Sequence, residues 1–169
     1  MLATKATLNR TGRISTLRSI QNKLGPYAPL PLRLIVGLGF VQHGSAKLNR
    51  GPEIFAATLH GLSVPAPHLM SWLTIAIEIA GGLAVLIGCL IPLFAVPMTA
   101  VLLVAMLRVH LQFGFSSIKL ISIAAGRPQF GPPGYECDLL YIACLATLVI
   151  SGPGPLAADT LLARRTKSD

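Results

Sequence analysis

The chain has 169 residues, of which 53% are hydrophobic and only 12% are charged, and its mean hydropathy is +0.67. Soluble domains average about 25% charged residues, so this composition excludes an ordinary water-soluble domain. The formal net charge of +8 would suit nucleic acid, but the basic residues cluster near the chain ends without interleaved aromatic residues. We therefore expect contact with anionic lipid headgroups and no nucleic-acid binding.

Residues 1–28 form a basic arm before the apolar part of the chain. The arm has five basic residues and no acidic residue, and it lacks the apolar stretch of a cleaved secretory signal. Leu17, Ile20 and Leu24 recur at helical spacing, which predicts a short amphipathic helix on a membrane surface. We interpret the arm as a cytoplasmic anchor that contacts anionic headgroups.

Four apolar segments predict membrane-spanning helices, because a helix needs about 20 apolar residues to cross the hydrocarbon core. The 37 residues of 71–107 contain one charged side chain, Glu78. Gly88, Pro92 and Pro97 lie near the middle of this stretch, where a chain that reverses direction needs helix breakers. The predicted spans are residues 30–47, 68–91, 93–113 and 135–151.

The remaining segments define the predicted domain organisation. A polar loop with prolines covers residues 48–67, and a connection rich in glycine and proline surrounds residues 126–134. The last span is closed by Gly152-Pro153-Gly154-Pro155. The predicted parts are a basic cytoplasmic arm (1–28), a four-helix transmembrane domain (29–155) and a polar cytoplasmic tail (156–169).

The distribution of basic residues predicts the orientation in the membrane. The arm holds five and the tail three, whereas the two longer loops together hold four and the link between spans two and three holds none. Four spans put both termini on one side, and the bias indicates that this side is the cytoplasm. The predicted fold class is all-α: an integral membrane four-helix bundle with cytoplasmic N- and C-termini.

Glu78 is the polar residue of the predicted spans whose insertion into the bilayer costs the most free energy. It shares one helix face with Gly81, Gly82, Val85 and Gly88, and small residues mark where another helix approaches closely. An ionised group near mid-bilayer costs roughly 2.5–3.5 kcal/mol on insertion scales. We therefore expect Glu78 to point into the protein and to be protonated or paired.

Depth along the helices predicts which group pairs with Glu78. It lies about ten residues, or roughly 15 Å, from His68 at the outer end of its span. Arg108 and His43 approach the same outer half, so the predicted partner is Arg108, followed by His43. Arg33 lies near the cytoplasmic end of span one and is expected to extend toward that surface. Both an ion pair that only fixes helix register and a proton or substrate role stay open.

Histidines and acids are also expected on the outer side, where they raise the question of a metal site. They are His43, His60, His68, His110, Glu53, Glu136 and Asp138. No HxxxH or ExxH spacing is present, so no metal site is predicted. The alternative is that the histidines lie at the interface while Glu136 and Asp138 stabilise the positive N-terminus of the fourth helix. Cys89, Cys137 and Cys144 are interpreted as small packing residues.

Five short segments between about residue 30 and residue 160 occur in a characteristic order. They are Arg33-Leu-Ile-Val-Gly37 with Phe40, His43-Gly44 and Lys47; Gly61-Leu-Ser-Val-Pro65-Ala-Pro67; Glu78-Ile-Ala-Gly81-Gly82; His110 with Gly114-Phe115; and Gly134-Tyr135-Glu136. Together they resemble the DoxX family of small bacterial membrane proteins. The resemblance implies a multi-pass protein of the bacterial inner membrane, associated with quinone-reducing oxidoreductase systems and thiol redox balance. The polar positions it carries over are Arg33, Lys47, Glu78, His110 and Glu136.

The leading functional hypothesis is a membrane subunit of an oxidoreductase system, linked to quinone or to thiol redox and oxidative stress. Glu78 would exchange protons as quinone is reduced, while His43 or Arg108 adjusts its proton affinity and donates a hydrogen bond to a quinone carbonyl. The chain has no electron carrier of its own, so a protein partner would supply flavin, metal or thiol, and whether the chain is an enzyme stays open. The candidate site residues are Glu78, Arg108, His43, Arg33, Lys47, His110 and Glu136.

Two alternatives stay open. The first is a membrane scaffold that recruits a soluble redox enzyme through the basic arm and the outer loops. It predicts that deletion of residues 1–25 abolishes function while Glu78→Gln is tolerated. The second is a small proton-coupled transporter, although four helices offer little cavity unless two copies combine. The substrate, the partner protein and the oligomeric state stay open.

Overall fold

The computed structural model describes residues 18–166, and helices dominate this part of the chain. A helix over residues 18–24 continues through the turn Gly25–Tyr27 into the first long helix. The helices that follow are α1 (Pro29–Arg50), α2 (Pro52–Gly61), α3 (Pro67–Ile87), α4 (Ile91–Ala105), α5 (Glu136–Ser151) and α6 (Ala158–Arg165). A π-helical segment, Met106–His110, and a 3-10 turn, Leu111–Phe113, extend α4.

Within residues 18–166, three helices are long and apolar enough to cross a membrane: Arg18–Arg50, Pro67–Ile87 and Ile91–Phe113. They agree with the first three predicted spans. The fourth predicted span corresponds to α5, whose 16 residues rise about 24 Å. The outer faces of the helices are apolar, since Val96 on α4 is 73% exposed and Ile150 on α5 is 85% exposed. Such surfaces suit lipid better than water.

The four long helices α1, α3, α4 and α5 pack against one another with neighbours antiparallel. α1 contacts both α3 and α5, and α4 contacts the same two helices. The start of α1 therefore lies with the end of α3 and the end of α5, which we call the terminal end. The opposite end, which carries α2 and the connection from α4 to α5, is called the loop end.

A core of apolar side chains fills the space between these helices. Its buried members are Val36, Phe40, Val85, Ile91, Ala95, Met98, Leu145 and Leu148. The rings of Phe40 and Tyr141 meet edge to face, with centroids 5.6 Å apart. α1 and α3 come closest, because a Cβ added to Gly82 would lie 2.8 Å from the carbonyl oxygen of Gly37. The predicted close approach along the glycine face of the second span is confirmed.

Two connections are more ordered than the sequence predicted. The loop over residues 48–67 contains α2, which begins at Pro52, where the fixed φ of proline suits the first helical position. The connection from α4 to α5 contains an antiparallel hairpin of β1 (Leu120–Ala124) and β2 (Arg127–Phe130). The predicted helical character is confirmed, since the chain is mostly helical, but the all-α prediction did not include this two-stranded sheet. The glycines and prolines around the hairpin led to its interpretation as an irregular connection.

The breakers predicted between spans two and three act in different ways. Gly88 ends α3 in the left-handed conformation, with φ +72°. Pro92 lies in the first turn of α4, where no helical N–H is needed, and Pro97 lies inside α4. Ile20 and Leu24 of the predicted amphipathic helix are exposed, whereas Leu17 lies outside the described residues.

Candidate functional site

An ion pair joins α1 to α3. The Nζ of Lys47 donates to both carboxylate oxygens of Glu78, at 2.6 Å each. The side chain of Glu78 is 6% exposed and that of Lys47 is 26% exposed. Lys47 Nζ also lies 5.4 Å from the ring centroid of Phe55 on α2, a distance at which a cation and an aromatic face attract each other.

Glycine at position 44 allows this pair to form. A Cβ added to Gly44 would lie 3.0 Å from the Cβ of Glu78 and 2.7 Å from a side-chain carbon of Ile79. A larger residue would push α1 away from α3 at this level. Gly44 precedes Lys47 by about one helical turn, so it lies on the same face of α1. The local sequence therefore brings the lysine stem down onto Glu78.

The predicted partner of Glu78 is wrong. Arg108 is exposed on the π-helical extension of α4, and His43 is exposed on α1. In the part of the chain from residue 18 to residue 166, the hydrogen bonds of the Glu78 side chain go to Lys47 alone. Lys47 was not predicted as the partner of Glu78 because its Cα lies at the end of the first span. Its flexible stem carries the ammonium group back toward the interior.

The predicted orientation of Glu78 is confirmed. Glu78, Gly81, Gly82 and Val85 are all buried on α3. Gly82 faces α1, whereas a Cβ at Gly81 would lie 2.8 Å from the sulfur of Met98 on α4. The acid therefore lies on a face that two neighbouring helices cover.

Arg33 occupies the terminal end of the same pair of helices and is 3% exposed. Its Nε donates to the Val85 carbonyl at 3.1 Å, and its Nη2 donates to the Leu86 carbonyl at 2.7 Å. Its Nη1 donates to the carbonyls of Pro153 and Leu156, at 3.0 Å and 3.4 Å. The carbonyls in the last turn of a helix carry partial negative charge and favour a cation. The expected extension of Arg33 toward the surface is therefore wrong.

The segment after α5 completes the terminal end. Ala157 is fully buried, and a Cβ added to Gly88 would lie 2.6 Å from its Cβ and 2.7 Å from Cζ of Arg33. Asp159 Oδ2 accepts a hydrogen bond of 2.8 Å from the backbone N–H of Leu90, at the start of α4. Burial, and then the neighbouring Asp159 carboxylate, raise the pKa of the Cys89 thiol in the α3–α4 link. A thiol that stays protonated is a poor nucleophile.

A second buried pair joins α4 to α5 at the loop end. His110 Nδ1 donates to Asp138 Oδ2 at 2.6 Å, and the Asp138 side chain is 7% exposed. Glu136 Oε2 accepts a hydrogen bond of 3.0 Å from the backbone N–H of Ser117. Both acids lie in the first turn of α5, as predicted, but their side-chain hydrogen bonds go to α4 and to the segment after it. The pairing of Asp138 with His110 was not predicted. The available signal was that the two residues lie at the ends of two predicted helices.

The candidate site residues therefore fall into separate groups. Lys47 and Glu78 form one pair, whereas His110 and Glu136 each bind a different partner at the loop end. An open apolar groove lies over residues 20–28, before α1 begins, whereas Lys47 lies in the last turn of α1. Within residues 18–166, no group of three potential metal ligands occurs.

Comparison with known proteins identifies the family. The family model of DoxX matches residues 28–111, a range that includes both members of the Lys47–Glu78 pair. The chain is also similar to an uncharacterized membrane protein of Mycobacterium tuberculosis, with 28% identity over 145 residues that cover 83% of this chain and 85% of that protein. No solved structure matches the chain. The resemblance inferred from the short segments is confirmed, and the chain is a membrane protein that belongs to the DoxX family through residues 28–111.

Proposed function

We propose that this chain is a four-helix protein of the bacterial inner membrane and the membrane subunit of a quinone-linked redox system. Antiparallel packing of the apolar α5 against α4 supports a fourth crossing. The excess of basic residues in the arm and the tail supports cytoplasmic termini. The loop end would then face the periplasm, and Lys47 would be reached from that side.

The observation that carries the redox proposal is the Lys47–Glu78 ion pair. Glu78 is almost fully buried, whereas Lys47 is partly exposed, so the pair connects the interior to the surface. Movement of a proton from the ammonium group to the carboxylate turns two opposite charges into two neutral groups. The net charge between the helices does not change, so the step avoids the cost of leaving a single charge in lipid.

The proposed chemistry is proton delivery to a quinone that a partner protein reduces. A quinone takes up two electrons and two protons to become a quinol. The two electrons come from a reduced flavin or metal centre of the partner, and the protons come from water at the loop end. Lys47 and Glu78 pass the protons on one at a time, acting as general acid and base. Quinone would approach from the lipid phase beside α3.

Enzyme assays on membranes that contain the chain and its native partner test this role. We expect Glu78→Gln to lower quinol formation by about tenfold or more, with normal amounts of the protein. Glu53→Gln is the matched control, because Glu53 also pairs with a basic group, His68, but both side chains are more than two-thirds exposed. Unchanged quinol formation by Glu78→Gln, or the absence of quinone from organic extracts of the purified complex, would count against the proposal.

The exchange of the two charged residues separates a proton role from a structural one. Lys47→Glu combined with Glu78→Lys keeps an ion pair between α1 and α3 but moves the carboxylate to the more exposed position. If the pair only fixes helix register, the double variant restores activity together with stability. If Glu78 handles protons, stability recovers and quinol formation stays low.

A second candidate function is a membrane anchor for a soluble redox enzyme. The open apolar groove of residues 20–28 favours it, because this groove belongs to the basic arm itself, at the terminal end. The anchor role predicts that deletion of residues 1–25 abolishes enzyme recruitment while Glu78→Gln is tolerated.

A further inference from the structure

The β1–β2 hairpin is apolar and uncovered. Every residue of both strands is exposed. The large side chains with the greatest exposure are Ile118 at 76%, Ile121 at 69%, Ile123 at 68% and Phe130 at 59%. The strands pack mainly on each other, and no helix of the described chain makes extensive contact with them. Because an isolated two-stranded hairpin is marginally stable in water, another surface must cover these side chains.

The base of the hairpin is held firmly at the loop end. The backbone N–H groups of Gly134, Tyr135 and Glu136 donate to carbonyls of residues 114–116, at 3.0–3.1 Å. A Cβ on Gly134 would collide with the carbonyl oxygens of Gly114, Phe115 and Ser116, so only glycine fits there. The hairpin therefore leaves the protein at a fixed height, where α4 ends and α5 begins.

Exposed apolar side chains continue from the outside of α4 into the hairpin. Leu107 and Leu111 on the extension of α4 are 57% and 50% exposed, and Phe115 follows at 56%. These residues connect the lipid-facing side of a candidate membrane span to Ile118, and the exposed polar side chains between them are Arg108, Gln112 and Ser116. The hairpin thus continues a surface that suits acyl chains.

The charges of the hairpin indicate what covers it. Lys119 immediately precedes β1, and Arg127 is the first residue of β2. Residues 109–135 contain no acidic side chain. Basic side chains beside apolar ones at a membrane boundary extend toward lipid phosphates, while the apolar side chains enter the boundary between headgroups and acyl chains. An acidic protein partner would satisfy the two cations but would not explain the continuity with the outside of α4.

We infer that the hairpin, residues 118–130, lies in the bilayer interface at the loop end. Its isoleucines and Phe130 contact acyl chains, and Lys119 and Arg127 bind the phosphates of lipid headgroups. The hairpin then serves as an interfacial anchor that holds the ends of α4 and α5, and with them the His110–Asp138 pair, at a set depth. This inference goes beyond the proposed redox role and does not depend on it.

Fluorescence quenching in lipid vesicles tests the inference. The three cysteines are replaced by serine, and an environment-sensitive fluorophore is attached to a new cysteine in Ile121→Cys or Phe130→Cys. The full chain is reconstituted in vesicles of phosphatidylcholine and phosphatidylglycerol, with and without lipids that carry a nitroxide near the headgroup. Val96→Cys on the middle of α4 gives the reference for deep lipid, and the free cysteine conjugate of the fluorophore in the same buffer gives the reference for water.

We expect nitroxide lipids to quench the label at positions 121 and 130, and aqueous iodide to quench it much less than it quenches the free conjugate. In the double variant Lys119→Gln/Arg127→Gln, the ratio of lipid-contacting label to water-exposed label should fall. The expected decrease is about fivefold for each charge removed, in anionic vesicles only. Equal thermal unfolding of the labelled variants and of the chain with its three cysteines replaced by serine would show that the labels do not disturb the fold, since Ile121 and Phe130 are exposed.

Two results would overturn the inference. Iodide quenching as strong as that of the free conjugate would mean that water surrounds the hairpin and that lipid does not cover it. Self-quenching that rises with protein density and falls when unlabelled chain is added would mean that a second copy covers it. Because no redox partner is present in the vesicles, neither result bears on the role of Glu78.

Discussion

Two buried charged groups, Arg33 and Glu78, lie at different levels between α1 and α3, and their environments differ. Arg33 is bound by four backbone carbonyls from the end of α3 and from the segment after α5. Glu78 is bound by one flexible side chain, Lys47, which is itself partly exposed. One charge is thus held by main chain, and the other is held by a group that can move.

This difference indicates a division of roles. A guanidinium group stays charged under all ordinary conditions, and its carbonyl partners cannot titrate. The Arg33 cluster can therefore only hold the terminal end together. Both Lys47 and Glu78 can exchange protons, and a rotation of the lysine stem would separate them. We expect Arg33 substitutions to affect stability most and Glu78 substitutions to affect function most.

The largest expected effect on stability comes from Arg33→Met. The substitution keeps an unbranched stem but removes the Arg33 donors of four carbonyls. Each hydrogen bond to a charged group contributes about 1.5–3 kcal/mol, so we expect a loss of at least about 3 kcal/mol. The free energy of unfolding in detergent, followed through the fluorescence of Trp72, measures the effect. Arg33→Lys keeps the charge but not the planar fork of donors, so it should recover only part of this free energy.

Arg50→Met provides the control for Arg33→Met. Arg50 lies on the same helix but is exposed in its last turn. A surface substitution of this kind changes stability by about 0.5 kcal/mol or less. If the two methionine variants unfold alike, the carbonyl cluster does not stabilise the terminal end and the comparison fails.

A double-mutant cycle on the second charged group is expected to show a smaller effect. Lys47→Met leaves a buried carboxylate without its cation and should cost about 2–3 kcal/mol, less than for a fully buried pair because Lys47 is partly exposed. Glu78→Gln should cost about 1 kcal/mol, since the free lysine can extend to the surface. The combined variant should show a coupling energy of about 1–2 kcal/mol. A coupling energy near zero would mean that the two side chains do not form a stabilising pair in the membrane.

The next largest loss of stability is expected at the close contact of Gly82 with Gly37, between Arg33 and Glu78. Gly82→Ala introduces a Cβ at 2.8 Å from the Gly37 carbonyl oxygen and 2.9 Å from the Val41 backbone nitrogen. Because both neighbours are backbone atoms, α1 and α3 must separate, at a cost of about 2 kcal/mol. Gly25→Ala is the control, since nothing lies within 4 Å of its added Cβ. Equal stability of both alanine variants would contradict the close approach of α1 to α3.

The sequence predicted the helices and the buried face well, because apolar runs and glycine spacing are local signals. The run over residues 71–107 and its glycine at position 88 predict two helices, and the structure has α3 end at Gly88. The face of Glu78 with Gly81 and Gly82 follows from helical periodicity alone. These features do not depend on how the helices are arranged.

The partners of the charged groups could not be predicted in this way. Lys47 reaches Glu78 because Gly44 lets α1 approach α3, which depends on the rotation of both helices. Arg33 finds Pro153 and Leu156 only because the segment after α5 folds back across the terminal end. Contacts between residues that are 120 positions apart leave no periodic signal in a single sequence. The hairpin was missed because its apolar strands are short and lie among glycines and prolines.

The smallest expected effect concerns Cys89, beside the Arg33 cluster. Burial and the Asp159 carboxylate both favour the neutral thiol and raise its pKa, so Cys89 should react slowly with maleimide at neutral pH. The rate should increase at a higher pH than for an ordinary cysteine, whose pKa is about 8.5. Asp159→Asn keeps an oxygen that can accept from the Leu90 N–H but removes the negative charge. In a chain with Cys137 and Cys144 replaced by serine, this variant should shift the pH–rate curve to lower pH without a large loss of stability. An unshifted curve would mean that Asp159 does not act on the thiol and that burial alone keeps it protonated.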